Sequence, residues 1–299
     1  MLVTGAGGQV GTDVARVLEG RAEVIAQARD TMDLSDPAQL VARIREAAAQ
    51  VIVNAAAYTA VDRAESEPEA AHTVNGVAPG LLAREARRAG ALMLHFSTDY
   101  VFDGAKRTPY VETDATNPLG VYGRSKLEGE RAVLDSGAAA IVLRTAWVYA
   151  PHGRNFMLTM LRLAAKGEPL RVVDDQHGAP TTSVAIARAV AAILAGGANG
   201  GKIDEASVAK AAARSGLYHA TAGGETSWFG FAQAIFAERA RATPGFVAPK
   251  LSAITTAEYP TPAKRPAYSV LDNGRLRQAF GISLGDWREG LAEAISALG

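Results

Sequence analysis

The sequence predicts an α/β protein built on a doubly wound parallel sheet, with a smaller C-terminal α/β domain after it. Three observations predict this. A short apolar strand, a glycine-rich turn and a helix open the chain at Met1–Leu18. Apolar β-rich runs then alternate with amphipathic helical stretches as far as Thr145, the pattern of parallel strands joined by helical crossovers. Beyond Ala146 the alternation loosens, so the chain divides into 1–146 and 147–299, with some segments of the second part expected to return to the first sheet. At 299 residues, 48% of them apolar, there is material for a sizeable core.

Met1–Thr4 reads as the first strand. Gly5, Gly8 and Gly11 follow at intervals of three, and Val14, Val17 and Leu18 give the next helix its apolar face. Strand, glycine turn and helix is the context of a dinucleotide site: the glycines let the backbone approach a pyrophosphate, whose charge rests on the helix N-terminus. The architecture is therefore Rossmann-like. Glu23–Gln27 is the second strand. Arg29 and Asp33 after it pull in opposite directions, since an arginine suits a ribose 2′-phosphate and an acid suits the free hydroxyls. Both NADPH and NADH stay open. Asp36 caps a helix with Pro37 in its first turn, expected to run to Ala49.

Val51–Val53 is a buried strand, and the small residues Asn54–Ala57 at its C-terminal end let a flat ligand lie against the backbone. One long helix is expected from about Glu67 to Ala89, interrupted at Asn75 in a way that anchors backbone. Ala91–Phe96 is the fourth strand and leads into Ser97-Thr98-Asp99-Tyr100-Val101-Phe102-Asp103-Gly104. A hydroxyl at Thr98 can polarise a substrate carbonyl, with Asp99 and Tyr100 facing the same cleft. Ala139–Thr145 is the fifth strand, with Trp147 and Tyr149 emerging from its end. In the second part, Asn155 opens an amphipathic helix, a strand and turn span 172–181, and Ser183 begins another helix. A glycine-rich break lies at 196–201, and the stretch on to Ser215 reads as a surface insertion. Gly216–Ala220 is a short strand, Ser227 caps a helix to about Arg241, and the last helices lie around Leu276 and Leu291.

Composition removes several functions. Acidic and basic residues balance at 31 each, which gives no reason to expect a nucleic-acid or membrane partner. With no cysteine there is no disulfide, thiolate site or cysteine nucleophile. The five histidines lack metal-ligand spacing. No secretory pattern opens the chain, and a cytoplasmic location is expected.

The chemistry centres on Tyr122-Gly123-Arg124-Ser125-Lys126. Residues four apart share a helix face, so the Lys126 ammonium can approach the Tyr122 phenol and favour its ionised form. A phenol so tuned exchanges a proton with an alcohol oxygen.

Together these stretches resemble the dTDP-4-dehydrorhamnose reductase family of the extended short-chain dehydrogenase/reductases. The carriers are the glycine turn, Asn54–Asp62, Ser97–Gly104, Tyr122–Glu130, Arg144–Tyr149, Asn155–Leu163, Asp174–Thr181 and Arg265–Leu271, spread over nearly the whole chain. The resemblance implies Tyr122 as proton donor, Lys126 on the nicotinamide ribose and Thr98 tuning the transfer. It implies Gly8, Gln9, Val10, Asp33, Leu34, Ala56, Ala57 and Thr59 around an NADPH or NADH cofactor. Thr98, Asp99, Tyr100 and Trp147 would hold dTDP-4-dehydro-L-rhamnose, whose C4 ketone is reduced in the last step of dTDP-L-rhamnose formation. A homodimer is compatible with the resemblance. Some relatives dimerise through magnesium held by glutamates; here Val184 and Asp13 occupy two such positions, so no metal is predicted. The non-catalytic regulatory subunit of methionine adenosyltransferase shares these motifs, and nucleotide-sugar epimerases and dehydratases share much of the fold, so both remain as alternatives.

Overall fold

The computed structural model describes residues 1–198 and 201–299. Asn199 and Gly200, within the expected glycine-rich break, lie outside the described residues. The elements in order are β1 (Leu2–Thr4), α1 (Gln9–Leu18), β2 (Ile25–Gln27), α2 (Pro37–Ala47), β3 (Val51–Asn54), α3 (Val61–Ala64), α4 (Pro68–His72), a π turn (Thr73–Val77), α5 (Ala78–Ala89), β4 (Leu92–Thr98), α6 (Val121–Leu134), β5 (Ala140–Thr145) and β6 (Val148–Tyr149). Then come α7 (Phe156–Ala164), β7 (Leu170–Val173), β8 (His177–Gly178), β9 (Thr181–Thr182), α8 (Ser183–Leu194), α9 (Glu205–Ala212), β10 (Gly216–His219), β11 (Thr226–Ser227), α10 (Trp228–Ala242), β12 (Leu251–Ile254), α11 (Gly274–Phe280) and α12 (Trp287–Ser296).

Six parallel strands form the main sheet in the order β10-β5-β4-β3-β1-β2. The chain leaves β1 for β2 on one side and returns to β3 on the other. That reversal opens a crevice at the C-terminal ends of β1 and β3, where ligands of open α/β sheets bind. Alternation along the strands sorts the core into two layers. Val3, Val53, Leu94, Phe96 and Leu143 pack against α1 and α8, while Leu2, Ile52, Met93 and Val142 pack against α2 and α5. Burying each such aliphatic side chain contributes roughly 1.5–3 kcal/mol.

A third apolar cluster joins Tyr149, Met157, Phe231, Trp287 and Leu291, which holds α7, α10 and α12 together beside the parallel pair β7 and β12. Two expectations change. The stretch before Ser215 is no mere surface insertion, because α9 and Ile203 bury Ala211 and Ile203 into the first layer. The single helix expected over 67–89 is α4, the π turn and α5. No helix among the described residues is long and apolar enough to cross a membrane.

Candidate active site

Gly5 ends β1 with φ +69°, and a Cβ there would stand 2.6 Å from the Ala56 nitrogen. The glycine turn and the Asn54–Ala57 segment are thus in backbone contact across the crevice. Beneath them Thr4 Oγ1 donates to Asn54 Oδ1 at 2.7 Å, and Asn54 Nδ2 meets His95 Nδ1 at 3.0 Å, which ties three strand ends together. Gly8 opens α1 with no side-chain cap. The first N–H groups of that helix are therefore left for an anion, as a cofactor pyrophosphate requires.

A cleft of about 1360 Å³ runs from this turn along the strand ends. It is lined by every residue expected to bind cofactor or substrate except Gly11. Gly11 is buried under the turn, where a Cβ would lie 2.2 Å from the Gly5 carbonyl oxygen. Its place is corrected from ligand contact to close packing of α1 on the turn.

At the far end, Asp33 accepts from the Ser35 N–H at 2.9 Å and the Ser35 hydroxyl at 2.8 Å. These bonds hold its carboxyl below the usual range. Arg29 is 86% exposed, with Nε 3.9 Å from Asp33. Both groups line this end of the cleft, and the buried Leu34 lines the wall with them.

Ala56, Ala57 and Thr59 lie on the loop after β3, whose course is fixed by the π turn. Asn75 Oδ1 accepts from Tyr58 N–H at 2.8 Å, and its Nδ2 donates to the Tyr58 carbonyl at 3.0 Å and to Ser125 Oγ at 3.1 Å. A π turn at a functional site is a recurrent device for aiming one side chain out of the helical register.

The candidate reacting groups come from β4 and α6. Thr98 ends β4, and its hydroxyl donates to Asp99 Oδ1 at 3.0 Å. Burial pushes the Asp99 carboxyl up to about 6. The start of α6 has Gly120 at its cap, and Glu65 supplies the missing acceptor, its Oε1 taking the Val121 N–H at 2.8 Å. Gly123 lets this helix press on the preceding segment, since a Cβ there would sit 2.2 Å from the Tyr100 oxygen. Tyr100 and Tyr122 meet edge to face with ring centroids 5.7 Å apart. Lys126 is buried and its Nζ donates to the Phe96 carbonyl at 2.6 Å.

This geometry reverses the electrostatic expectation for Tyr122. Burial pushes its phenol up to about 12, against a smaller lowering by Thr98, and the Asp99 carboxylate adds to the rise. Burial and the Asp99 carboxylate outweigh any help from Lys126, whose ammonium donates to the Phe96 carbonyl and is itself pushed down to about 8 by burial.

Trp147 is half-buried with φ +48°, and its indole stacks on Trp228 at 3.5 Å between ring centroids and 2° between planes. A Cβ on Gly178 would stand 2.4 Å from the Trp147 ring system, so Gly178 packs directly against the indole. Trp147 is therefore a held slab bordering the cleft, neither a free platform nor a core residue. Sequence reasoning missed Trp228, Arg154 and Glu65. Trp228 carries a usable signal, a large apolar residue directly after the helix-capping Ser227; the other two carry none. Among the described residues no cluster of acids and histidines could hold a metal ion, and the Asp13 carboxylate is engaged by Arg16, His152 and Ser183.

A family model described as the RmlD substrate binding domain matches residues 1–299. The chain is 49% identical to the dTDP-4-dehydrorhamnose reductase of Burkholderia thailandensis, over 96% of this chain and 95% of that one. It is 41% identical to the enzyme of the same name from Escherichia coli, over 100% and 97%. The crystal structure of a dTDP-4-dehydrorhamnose reductase from Clostridium acetobutylicum superposes with a TM-score of 0.88 at 36% identity, covering 99% of this chain and 98% of that one. One from Bacillus anthracis in complex with NADP superposes at 0.87 with 29% identity, covering 98% and 97%. With these similarities running the length of a chain whose cleft gathers Thr98, Tyr122 and Lys126 beside an uncapped glycine turn, the protein belongs to the dTDP-4-dehydrorhamnose reductase family.

Proposed function

We propose that the chain reduces the C4 ketone of dTDP-4-dehydro-L-rhamnose to dTDP-L-rhamnose with NADPH or NADH. The observation that carries this is the convergence of Thr98, Tyr122 and Lys126 in one cleft with the glycine turn. In the division of labour we propose, residues 1–146 bind the cofactor and most of 147–299 binds the sugar nucleotide, with β10 paired to β5.

The residues present fit a dinucleotide: a bare helix N-terminus for its pyrophosphate, Asp33 and Arg29 for the adenosine ribose, and flat Ala56 and Ala57. Once bound, the nicotinamide supplies the hydride. The chain's own work is to hold the ketone and deliver a proton. Tyr122, raised to about 12, keeps its proton throughout the neutral range and is set to donate it to the new alkoxide. Thr98 can polarise the same oxygen when its hydroxyl turns from Asp99 toward the ketone. Lys126 lies one helical turn from Tyr122, where it can reach the cofactor ribose. Asp99, Tyr100 and Trp147 border the sugar position.

The direct test follows loss of reduced-cofactor absorbance with dTDP-4-dehydro-L-rhamnose. Net consumption is expected of a reductase. No net consumption would return the chain to an epimerase, which recycles its cofactor, or to a regulatory subunit.

A pH profile tests Lys126. Burial lowers its pKa to about 8, so the ammonium is present below that pH and lost above it. The ratio kcat/KM reports groups of the free enzyme, and it should fall on the alkaline side near pH 8. Lys126→Arg should move that limb upward, because guanidinium stays charged. An unmoved limb would remove Lys126 from the titration.

Trp147→Ala tests sugar recognition. The KM for the sugar nucleotide should rise and turnover should fall, because orientation is part of the barrier. Cofactor affinity should stay near the original value. The stability loss should fall short of the roughly 3–5 kcal/mol of a core tryptophan. Unchanged kinetics together with a full core-sized loss would take Trp147 out of the site.

A further inference from the structure

Of the three arginines lining the cleft, Arg29 faces Asp33 and Arg63 faces Glu67, whereas among the described residues Arg154 has no salt-bridge partner. Its loop is nonetheless fixed. Asn155 Nδ2 donates to Gln9 Oε1 at 2.8 Å and to the Ala150 carbonyl at 2.8 Å, and His152 Nε2 lies 3.2 Å from the fully buried Asp13 carboxylate. Gly153 comes so close that a Cβ on it would stand 3.2 Å from Gln9 Cγ. A segment more than a hundred residues away in sequence is thus docked on the first turn of α1, on both sides of Arg154.

We propose that Arg154 recognises a diphosphate. Docking on Gln9 anchors the backbone on both sides of Arg154, and its exposed side chain lines the same cleft as the glycine turn before α1 and as Trp147 and Trp228. A planar fork of donors suits phosphate oxygens, and the charge reinforces the helix N-terminus. Two diphosphates enter this cleft, that of the cofactor and that of the sugar nucleotide. The inference rests on the reductase reading of the same cleft.

The test measures binding of NADPH to the protein alone, and of dTDP to its NADPH complex, by calorimetry, for the original chain and Arg154→Gln. The variant should weaken one ligand about tenfold or more, as loss of a hydrogen bond to a charged group does. The dissociation constant for that ligand should also become less dependent on salt. Loss confined to NADPH assigns the cofactor's pyrophosphate, and loss confined to dTDP assigns the nucleotide of the sugar. Both constants within twofold of the original, at an unchanged melting temperature, would overturn the proposal. An original chain that binds neither ligand would instead overturn the reductase reading.

Discussion

Tyr122→Phe lowers turnover by a factor of about 10² to 10⁴, the usual worth of a positioned general acid. The phenol is held protonated by burial, so at neutral pH it carries the proton that the new alkoxide needs. The ring keeps its edge-to-face packing with Tyr100, because phenylalanine has the same ring. Fold and cofactor affinity should therefore hold, and the loss should appear in kcat rather than in the binding of NADPH. Stopped-flow turnover under saturating substrate reads this directly. Activity within threefold of the original would end the assignment of Tyr122 as donor.

Glu130→Ala is the second large effect, and it falls on stability. Glu130 and Arg144 form a two-pronged pair at 2.9 and 2.6 Å, with side chains 3% and 2% exposed. Arg144 also lies over the Phe102 ring at 5.0 Å and meets His219 at 3.4 Å. His219 is pushed down to about 3, by burial first and by Arg144 second, so it stays neutral and adds no repulsion, but an imidazole offers no negative charge to replace the carboxylate. Removing the carboxylate strands a buried guanidinium, at a cost of roughly 3–5 kcal/mol. For a chain of this size that lowers Tm by roughly 5–8 °C. Glu130 also raises the Lys126 pKa. The surviving folded fraction should show its alkaline limb moved to lower pH. A melting temperature within 2 °C or so of the original, on the same scale, would show that water or a neighbour replaces the carboxylate.

Much of this was legible along the chain because it is local. Continuous β-branched or leucine-rich runs marked β3, β4 and β5, and glycine spacing marked the turn where Gly5 meets Ala56. The cleft residues at strand ends follow from the topology of a parallel sheet. What stayed hidden depends on partners distant in sequence. The two-residue strands β6, β8, β9 and β11 exist through their neighbours, as with Thr226–Ser227 paired to His177–Gly178. Glu65 caps a helix 56 positions on. The direction of the Tyr122 pKa is hidden because spacing shows only that Lys126 is near, whereas the fold shows how much water the phenol loses and that Asp99 lies beside it.

The backbone at Trp147 carries a wider consequence. Its φ of +48° lies where glycine sits freely and a residue with a side chain costs of order 1–3 kcal/mol. A glycine here would relieve the turn and at the same time leave Trp228 without its stacked partner. Backbone relief and ring contact therefore oppose each other at this position, so Trp147→Gly should cost less stability than Trp147→Ala, which loses the stack and keeps the strain.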